Sequence, residues 1–132
     1  TLSLLSGCML DYQDVSDDPK FSSLTGKAYR TTGTEIAHGT TFDQNYAKVL
    51  DYIVLMPPPG ASGPEVLFRT KVEAGLEFRI VGVMQSVWFP IIGRSVNCIG
   101  EPTNFQCPER ATLWIECPPY SDDRFEELVS ED

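Results

Sequence analysis

The residues that could do chemistry are few in this chain: one histidine, four cysteines and scattered carboxylates. His38 lies in "EIAHGTT", which contains no nucleophile motif, and "GASGP" differs from G-x-S-x-G. Nucleophilic catalysis needs a base beside the nucleophile, and a glycosidase needs a pair of facing carboxylates. The sequence predicts neither arrangement. We therefore place His38 at a strand end or in a loop, and we expect no catalytic residues and no enzyme activity.

Motifs for metals and cofactors are also missing from the sequence. There is no C-x-x-C pair, no P-loop and no dinucleotide fingerprint. The acidic stretch "DYQDVSDD" lacks the glycine turn and the closing Glu of a calcium loop. We expect no metal site and no cofactor.

The first cysteine follows an apolar run in "TLSLLSGCML". Leu5-Ser6-Gly7-Cys8 resembles the lipobox of bacterial lipoproteins, in which the signal peptide is cut before the cysteine and its sulfur receives a diacylglycerol. The resemblance covers these four residues and the leucines before them. It implies that Cys8 is the lipidation site and that lipid on Cys8 anchors the protein to a membrane.

The residues around Cys8 carry two further expectations. The sequence has neither an initiator Met nor a basic n-region, so we expect residues 1–7 to be the remainder of a signal peptide. Met9 follows the cysteine, at the position where an Asp favours the inner membrane in the Gram-negative family. The resemblance therefore implies the bacterial cell envelope, on the periplasmic side of the outer membrane.

If Cys8 carries lipid, three cysteines remain for one disulfide in an oxidising compartment. We favour Cys98–Cys107, which closes a loop rich in turn formers and would contribute roughly 2–3 kcal/mol of stability. Cys117 is then the buried free thiol. The alternative pairing is Cys107–Cys117.

The net charge of −9 is concentrated at the two ends of the chain. Four acids lie between residues 11 and 18, and six acids with one Arg lie between residues 122 and 132. Residues 19–120 hold equal numbers of acids and bases. The acidic ends argue against nucleic-acid binding, which requires clustered Lys and Arg. These acidic ends are either solvated tails or segments that attract a basic protein partner.

Short β-type runs separated by Gly and Pro predict a mainly β fold, a small antiparallel β-barrel or β-sandwich with a short C-terminal helix. The runs are "KAYRT", "TEIAH", "VLDYIVLM", "EVLFRTKV", "LEFRIVGVM", "SVWFPIIG", "SVNC" and "ATLWIEC". We divide the chain into residues 1–7, the signal-peptide remnant; 8–26, the lipidated cysteine and an acidic tether; 27–120, the β domain; and 121–132, an acidic helix or tail.

One hairpin can be predicted at the level of register. A three-residue loop ending at Gly75, in the left-handed position, pairs Val72 with Leu76 and puts the apolar residues on one face. Arg69 and Arg79 then lie opposite each other, which destabilises the sheet unless an anion is near. We expect there either a site for an anion or acidic partner, or a carboxylate of the protein itself.

Two further features are candidates for binding. The loop "PPPGASGP", with Pro58, Pro59 and Gly60, is stiffened by its prolines and is either a recognition loop or a long hairpin connection. Trp88 belongs to a set of aromatic residues for which the sequence leaves two places open, a shared binding surface or the core. The other members of the set are Phe89, Trp114 and Tyr120.

These observations predict a lipid-anchored envelope protein whose β domain binds another envelope protein. The alternative is an inhibitor or immunity-type lipoprotein that neutralises a basic enzyme or toxin. It resembles membrane-bound lysozyme inhibitors in size, acidity and lipid, but their inhibitory motif has no match here. A degenerate envelope hydrolase stays open only if a pocket brings His38 together with acids.

Overall fold

Nine β-strands and two short 3-10 turns make up the part of the chain that the computed structural model describes, residues 10–41, 49–88, 96–118 and 123–129. The strands are β1 (Leu10–Asp14), β2 (Ala28–Thr31), β3 (Glu35–Thr40), β4 (Tyr52–Met56), β5 (Val66–Val72), β6 (Glu77–Trp88), β7 (Val96–Pro102), β8 (Thr112–Glu116) and β9 (Phe125–Leu128). The 3-10 turns cover Ser22–Leu24 and Pro108–Arg110. The prediction of a mainly β fold is confirmed.

The strands form one sheet in the order β5-β3-β4-β8-β7-β6-β2-β9, and β1 pairs with the second half of β6. The sheet is mixed, because β4 and β8 run parallel while the neighbouring pairs are antiparallel. Within the described residues, the two end strands β5 and β9 do not pair with each other. The structure therefore has one open mixed sheet where the sequence predicts an antiparallel barrel or sandwich.

Side-chain alternation builds one core on the inner face of this sheet. In β4, for example, Ile53 and Leu55 are buried while their neighbours are partly exposed. Tyr29 from β2 and Val72 from β5 come from opposite halves of the strand order, yet both pack in the same cluster. The sheet must therefore curl around its core. Its most deeply buried members include Phe78, Ile80, Val83, Leu113 and Ile115.

The hairpin predicted between β5 and β6 does not form. β5 pairs with β3, whereas β6 pairs with β1, β2 and β7. Gly75 has the predicted positive φ, 107°. However, the amides of Gly75 and Leu76 donate to Thr31 at the end of β2, and Leu76 accepts the Thr31 amide at 2.9 Å. Because the backbone groups of Gly75 and Leu76 bond to Thr31 of β2, the turn leads the chain from β5 to β2 and does not pair β6 with β5.

Both ends of the described chain belong to the sheet, which corrects two predictions. Residues 10–26 are not a tether, because β1 pairs with β6 and both Phe21 and Leu24 are buried in the core. Residues 125–128 are a strand paired with β2, so the predicted C-terminal helix is wrong. The strand forms because alternation turns Phe125 inward against Phe78, with ring centroids 5.6 Å apart.

Candidate functional site

An apolar cavity of about 260 Å³ lies on the inner face of the sheet, between β5 and the connection from β7 to β8. Its lining is Ala37 on β3; Ile53 and Leu55 on β4; Phe68, Thr70 and Val72 on β5; Leu76; Leu113 on β8; and Phe105, Gln106, Cys107 and Pro108 of the connection. The polar side chains of the lining are those of Thr70, Gln106 and Cys107. Such a cavity suits an apolar group and offers little to orient a polar substrate.

Phe68 forms a wall of the cavity because a glycine lies beside it. Gly39 is its partner in the β3–β5 ladder, directly before a register shift at Thr40. A Cβ at Gly39 would lie 2.2 Å from the Phe68 ring. Phe68 is 39 % exposed, so its ring lies between the cavity and the solvent. Glycine at position 39 therefore leaves the space that the Phe68 ring occupies in the cavity wall.

The connection between β7 and β8 forms the opposite wall, and its backbone is strained. Glu109 and Arg110 have φ values of 53° and 59°, in the left-handed region. This conformation costs a non-glycine residue about 1–2 kcal/mol. Consecutive residues of this kind persist only where the surroundings fix the backbone, and they are common at functional sites. Here the flanking strands are fixed by sheet pairing and by a disulfide.

That disulfide joins Cys98 to Cys117, with the Cα atoms 4.9 Å apart, and corrects the predicted Cys98–Cys107 pairing. The β7–β8 ladder decides the pairing, because Cys98 lies opposite Ile115 and Cys117 follows two residues later. Both cysteines are fully buried. A closed loop of this length contributes about 3 kcal/mol in the chain-entropy account.

Cys107, not Cys117, is the free thiol among the described residues. It is partly buried in the cavity lining, and burial raises the pKa of its thiol. Because the thiolate is the nucleophile, a raised pKa makes Cys107 a poor one at neutral pH. Cys107 therefore belongs to the cavity as an apolar wall residue.

The outer edge of β5 is unpaired within the described residues, since β5 pairs with β3 alone. The side chains of this strand alternate: Phe68, Thr70 and Val72 line the cavity, which leaves Arg69 and Lys71 on the other face. An unpaired strand edge offers backbone donors and acceptors to another chain. The open edge thus runs along one wall of the apolar cavity.

The predicted anion site between Arg69 and Arg79 is not formed. Arg69 lies opposite His38 and donates to the carbonyl oxygens of Pro59 and Ala61, at 3.4 and 3.3 Å. Arg79 lies on β6, opposite Glu101 of β7, and donates to the Gly26 carbonyl at 2.6 Å. The two arginines were expected to face each other only because β5 and β6 were expected to pair.

The proline loop is fastened to the outer face of the sheet by His38. This histidine is 2 % exposed in the middle of β3, which corrects its expected place at a strand end or in a loop. Its Nε2 accepts the Ala61 amide at 2.9 Å, so its Nδ1 carries the proton and donates to the Ile36 carbonyl at 3.0 Å. A Cβ at Gly60 would lie 2.7 Å from Nε2. Pro58 and Pro59 remain exposed.

A buried ion pair joins Glu35 of β3 to Arg124, the residue before β9, and the sequence contains only a weak signal of it. Glu35 is 2 % exposed, and Arg124 donates to its two oxygens at 2.6 and 3.3 Å. Arg124 also donates to the Leu55 carbonyl at 3.1 Å and lies 3.6 Å from Glu116. Glu35 and Arg124 are 89 positions apart in the sequence. The available signal was weak: Arg124 is the single base in an acidic segment.

For two of the predicted site residues, Cys8 and Trp88, the structure describes no side chain. Cys8 precedes the described residues, and Trp88 is described only in its backbone, as the last residue of β6. Of the predicted aromatic set, Phe89 and Tyr120 lie outside the described residues. Trp114 is 7 % exposed and packs on Tyr52, with ring centroids 5.3 Å apart.

Groups of three or more metal-ligating side chains are absent from the described residues. The same part of the chain contains no helix that is long and apolar enough to cross a membrane. Comparisons with family models, curated proteins and solved structures found no match to this chain.

Proposed function

We propose that this chain is a lipid-anchored protein of the bacterial envelope, and that its β domain binds a segment of another envelope protein in the cavity beside β5. The lipid anchor rests on the sequence of residues 5–8. The binding role rests on one observation, an apolar cavity that lies against an unpaired strand edge.

The size of the cavity favours a protein partner over a lipid or a large metabolite. Engineered apolar cavities of about 150 Å³ bind benzene, whereas pockets for drug-sized ligands measure about 300–1,000 Å³. At about 260 Å³, this cavity holds one large apolar side chain and not a whole diacyl lipid. An apolar side chain buried in this way is a typical anchor of a protein interface.

The chemistry of the cavity favours binding over catalysis. A catalytic site needs a nucleophile, a base or a charged stabiliser that points into the cavity. The cavity lining contains no carboxylate and no base, and its thiol has a raised pKa. His38 lies on the outer face, where backbone groups occupy both of its ring nitrogens.

The inhibitor or immunity role receives less support. It rests on the acids at the two ends of the chain, which would attract a basic enzyme or toxin. In the described part of β9, Glu126 pairs with Arg30, and Glu127 lies 4.0 Å from Lys27. These acids are therefore compensated within the sheet.

Site-specific crosslinking in a bacterium tests the proposal. The gene is expressed with its native N-terminus, and a photo-crosslinking residue replaces Phe68 in the cavity wall. A matched control replaces Val81, an apolar β6 residue that is 48 % exposed and absent from the cavity lining. We expect a discrete envelope-protein adduct from position 68 only, and its loss in a Cys8→Ser chain that cannot be lipidated.

Equal adducts from both positions, or none from position 68, would refute the binding role. Intact mass of the membrane fraction tests the anchor separately. A chain that begins at Cys8 and carries diacylglycerol supports it, and an unmodified soluble chain overturns it.

A further inference from the structure

We propose that the partner segment is an extended strand that adds to the open edge of β5 and has the local pattern acidic–aromatic–acidic. The aromatic side chain enters the cavity, and the acids on either side of it face Arg69 and Lys71. This inference rests on the proposed function and adds to it the conformation and the chemistry of the bound segment.

The geometry of β5 sets the pattern. The cavity runs along Phe68, Thr70 and Val72, which are alternate residues of the strand that forms its wall. A strand added to this edge has the same alternation, so one of its side chains points into the cavity while the two adjacent side chains point to the opposite face. That opposite face is where Arg69 and Lys71 lie.

Charge complementarity selects acids for those two positions. The seven residues of β5 contain two bases and no acid, in a chain of net charge −9. Among the described residues, Arg69 bonds to carbonyl oxygens only, and Lys71 has no ion pair. Opposite charges across a ladder stabilise the pairing, and like charges destabilise it.

A second copy of this chain fits the edge less well. Antiparallel pairing of two β5 strands over their full length would place Arg69 opposite Arg69 of the other copy. Basic side chains on an edge strand are a common protection against such self-pairing. The open edge is therefore suited to an acidic segment of a different protein.

Protection of the Cys107 thiol is the readout of the test, because this thiol lies in the cavity lining. The protein is the full chain with Cys8→Ser, so that Cys107 is the free thiol that reacts with iodoacetamide. The probes are indole, a peptide with one Phe between two Glu, the same peptide with Lys for Glu, and the same peptide with Ala for Phe. Two more Glu-Phe-Glu peptides are N-methylated at alternate positions, so that each lacks the amides of one edge.

We expect the Glu-Phe-Glu peptide to slow alkylation of Cys107, and the Ala and Lys peptides to do so much less. One of the two N-methylated peptides loses the protection and the other keeps it, because only one edge of the added strand bonds to β5. Lys71→Glu lowers the affinity for the Glu-Phe-Glu peptide about five-fold and raises the affinity for the Lys peptide. The matched control is Lys20→Glu, which makes the same charge change away from β5 and leaves both affinities within two-fold.

The outcomes separate this inference from the function on which it rests. Equal protection by the Glu and Lys peptides, or by both N-methylated peptides, overturns the acidic strand and leaves the binding cavity standing. A stable dimer, seen by analytical ultracentrifugation and strengthened by Lys71→Glu because opposite charges then meet across the two β5 edges, assigns the edge to a second copy and also overturns it. Absence of protection by every probe, including indole, overturns the inference and the proposed cavity together.

Discussion

Removal of the Arg124 side chain is the sharpest test of how this fold is held together. Arg124→Leu leaves the carboxylate of Glu35 in the core, where its side chain is 3 % exposed, without a cation. It also removes the donor to the Leu55 carbonyl. A buried charge that loses its partner is strongly destabilising, whereas replacement of both partners by apolar residues is often neutral.

The magnitude follows from the burial of the two side chains. Loss of one partner from a buried pair costs about 3–5 kcal/mol. The Arg124 side chain is 16 % exposed, so water can reach the vacated site, and we expect a loss near 3 kcal/mol. The double variant Glu35→Leu/Arg124→Leu leaves no unpaired charge and should be clearly more stable than Arg124→Leu alone.

Urea denaturation measures these differences. With a slope of about 1–3 kcal/mol per molar urea, the Arg124→Leu midpoint should fall by roughly 1–3 M while the slope stays the same. Arg30→Leu is the matched control, because Arg30 pairs with Glu126 across the same end of the fold but both side chains are at least 41 % exposed. Its midpoint should move much less.

Two results would refute the reasoning. One is a loss in Arg124→Leu no greater than that in Arg30→Leu. The other is a double variant whose destabilisation equals the sum of the losses measured for Arg124→Leu and for Glu35→Leu alone, since additive losses mean that the two side chains do not interact.

Three further predictions concern the cavity and the proline loop. Because burial raises the pKa of Cys107, its alkylation rate should begin to rise at a higher pH in the folded protein than in urea, and coincident pH profiles would contradict this. Gly39→Ala should push the Phe68 ring from the cavity wall, lower the free energy of unfolding by about 1–3 kcal/mol and speed the alkylation of Cys107. Gly33→Ala is the control, because its new Cβ meets nothing within 4 Å, and it should change neither stability nor the alkylation rate. His38→Leu leaves the Ala61 amide of the proline loop without its acceptor, so the free energy of unfolding in urea should fall by about 1–3 kcal/mol. The loop should also be cleaved faster by a protease, and an unchanged cleavage rate would exclude the role of His38 in fastening the loop.

The sequence predicted the strands from β2 to β8, because alternation and turn residues are local signals, and it missed β1 and β9. The apolar runs at residues 27–31, 49–56 and 111–117 each contain a strand of the structure, and Gly75 has the positive φ assigned to it. The candidate site could not be predicted in the same way. Its walls come from four strands and two connections, and no local pattern shows that Phe68 and Cys107 line one cavity.

Two of the wrong predictions, the β5–β6 hairpin and the disulfide pairing, share one physical cause. Alternation shows which face a side chain occupies but not which strand lies beside it. β5 and β6 were expected to pair because they are adjacent in sequence, and the opposed arginines followed from that pairing. Cysteine spacing likewise left the pairing open until the β7–β8 register brought Cys98 close to Cys117.

What the sequence determined by itself is therefore the mainly β composition, the turn at Gly75, and the resemblance of residues 5–8 to a lipobox. The tertiary structure decided the sheet order, the disulfide, the Glu35–Arg124 pair and the cavity beside β5. Each of these joins residues that are distant along the chain, and their contact depends on the free energy of the whole fold. Local propensity acts over a few residues, so it cannot select among long-range pairings that satisfy the same alternation equally well.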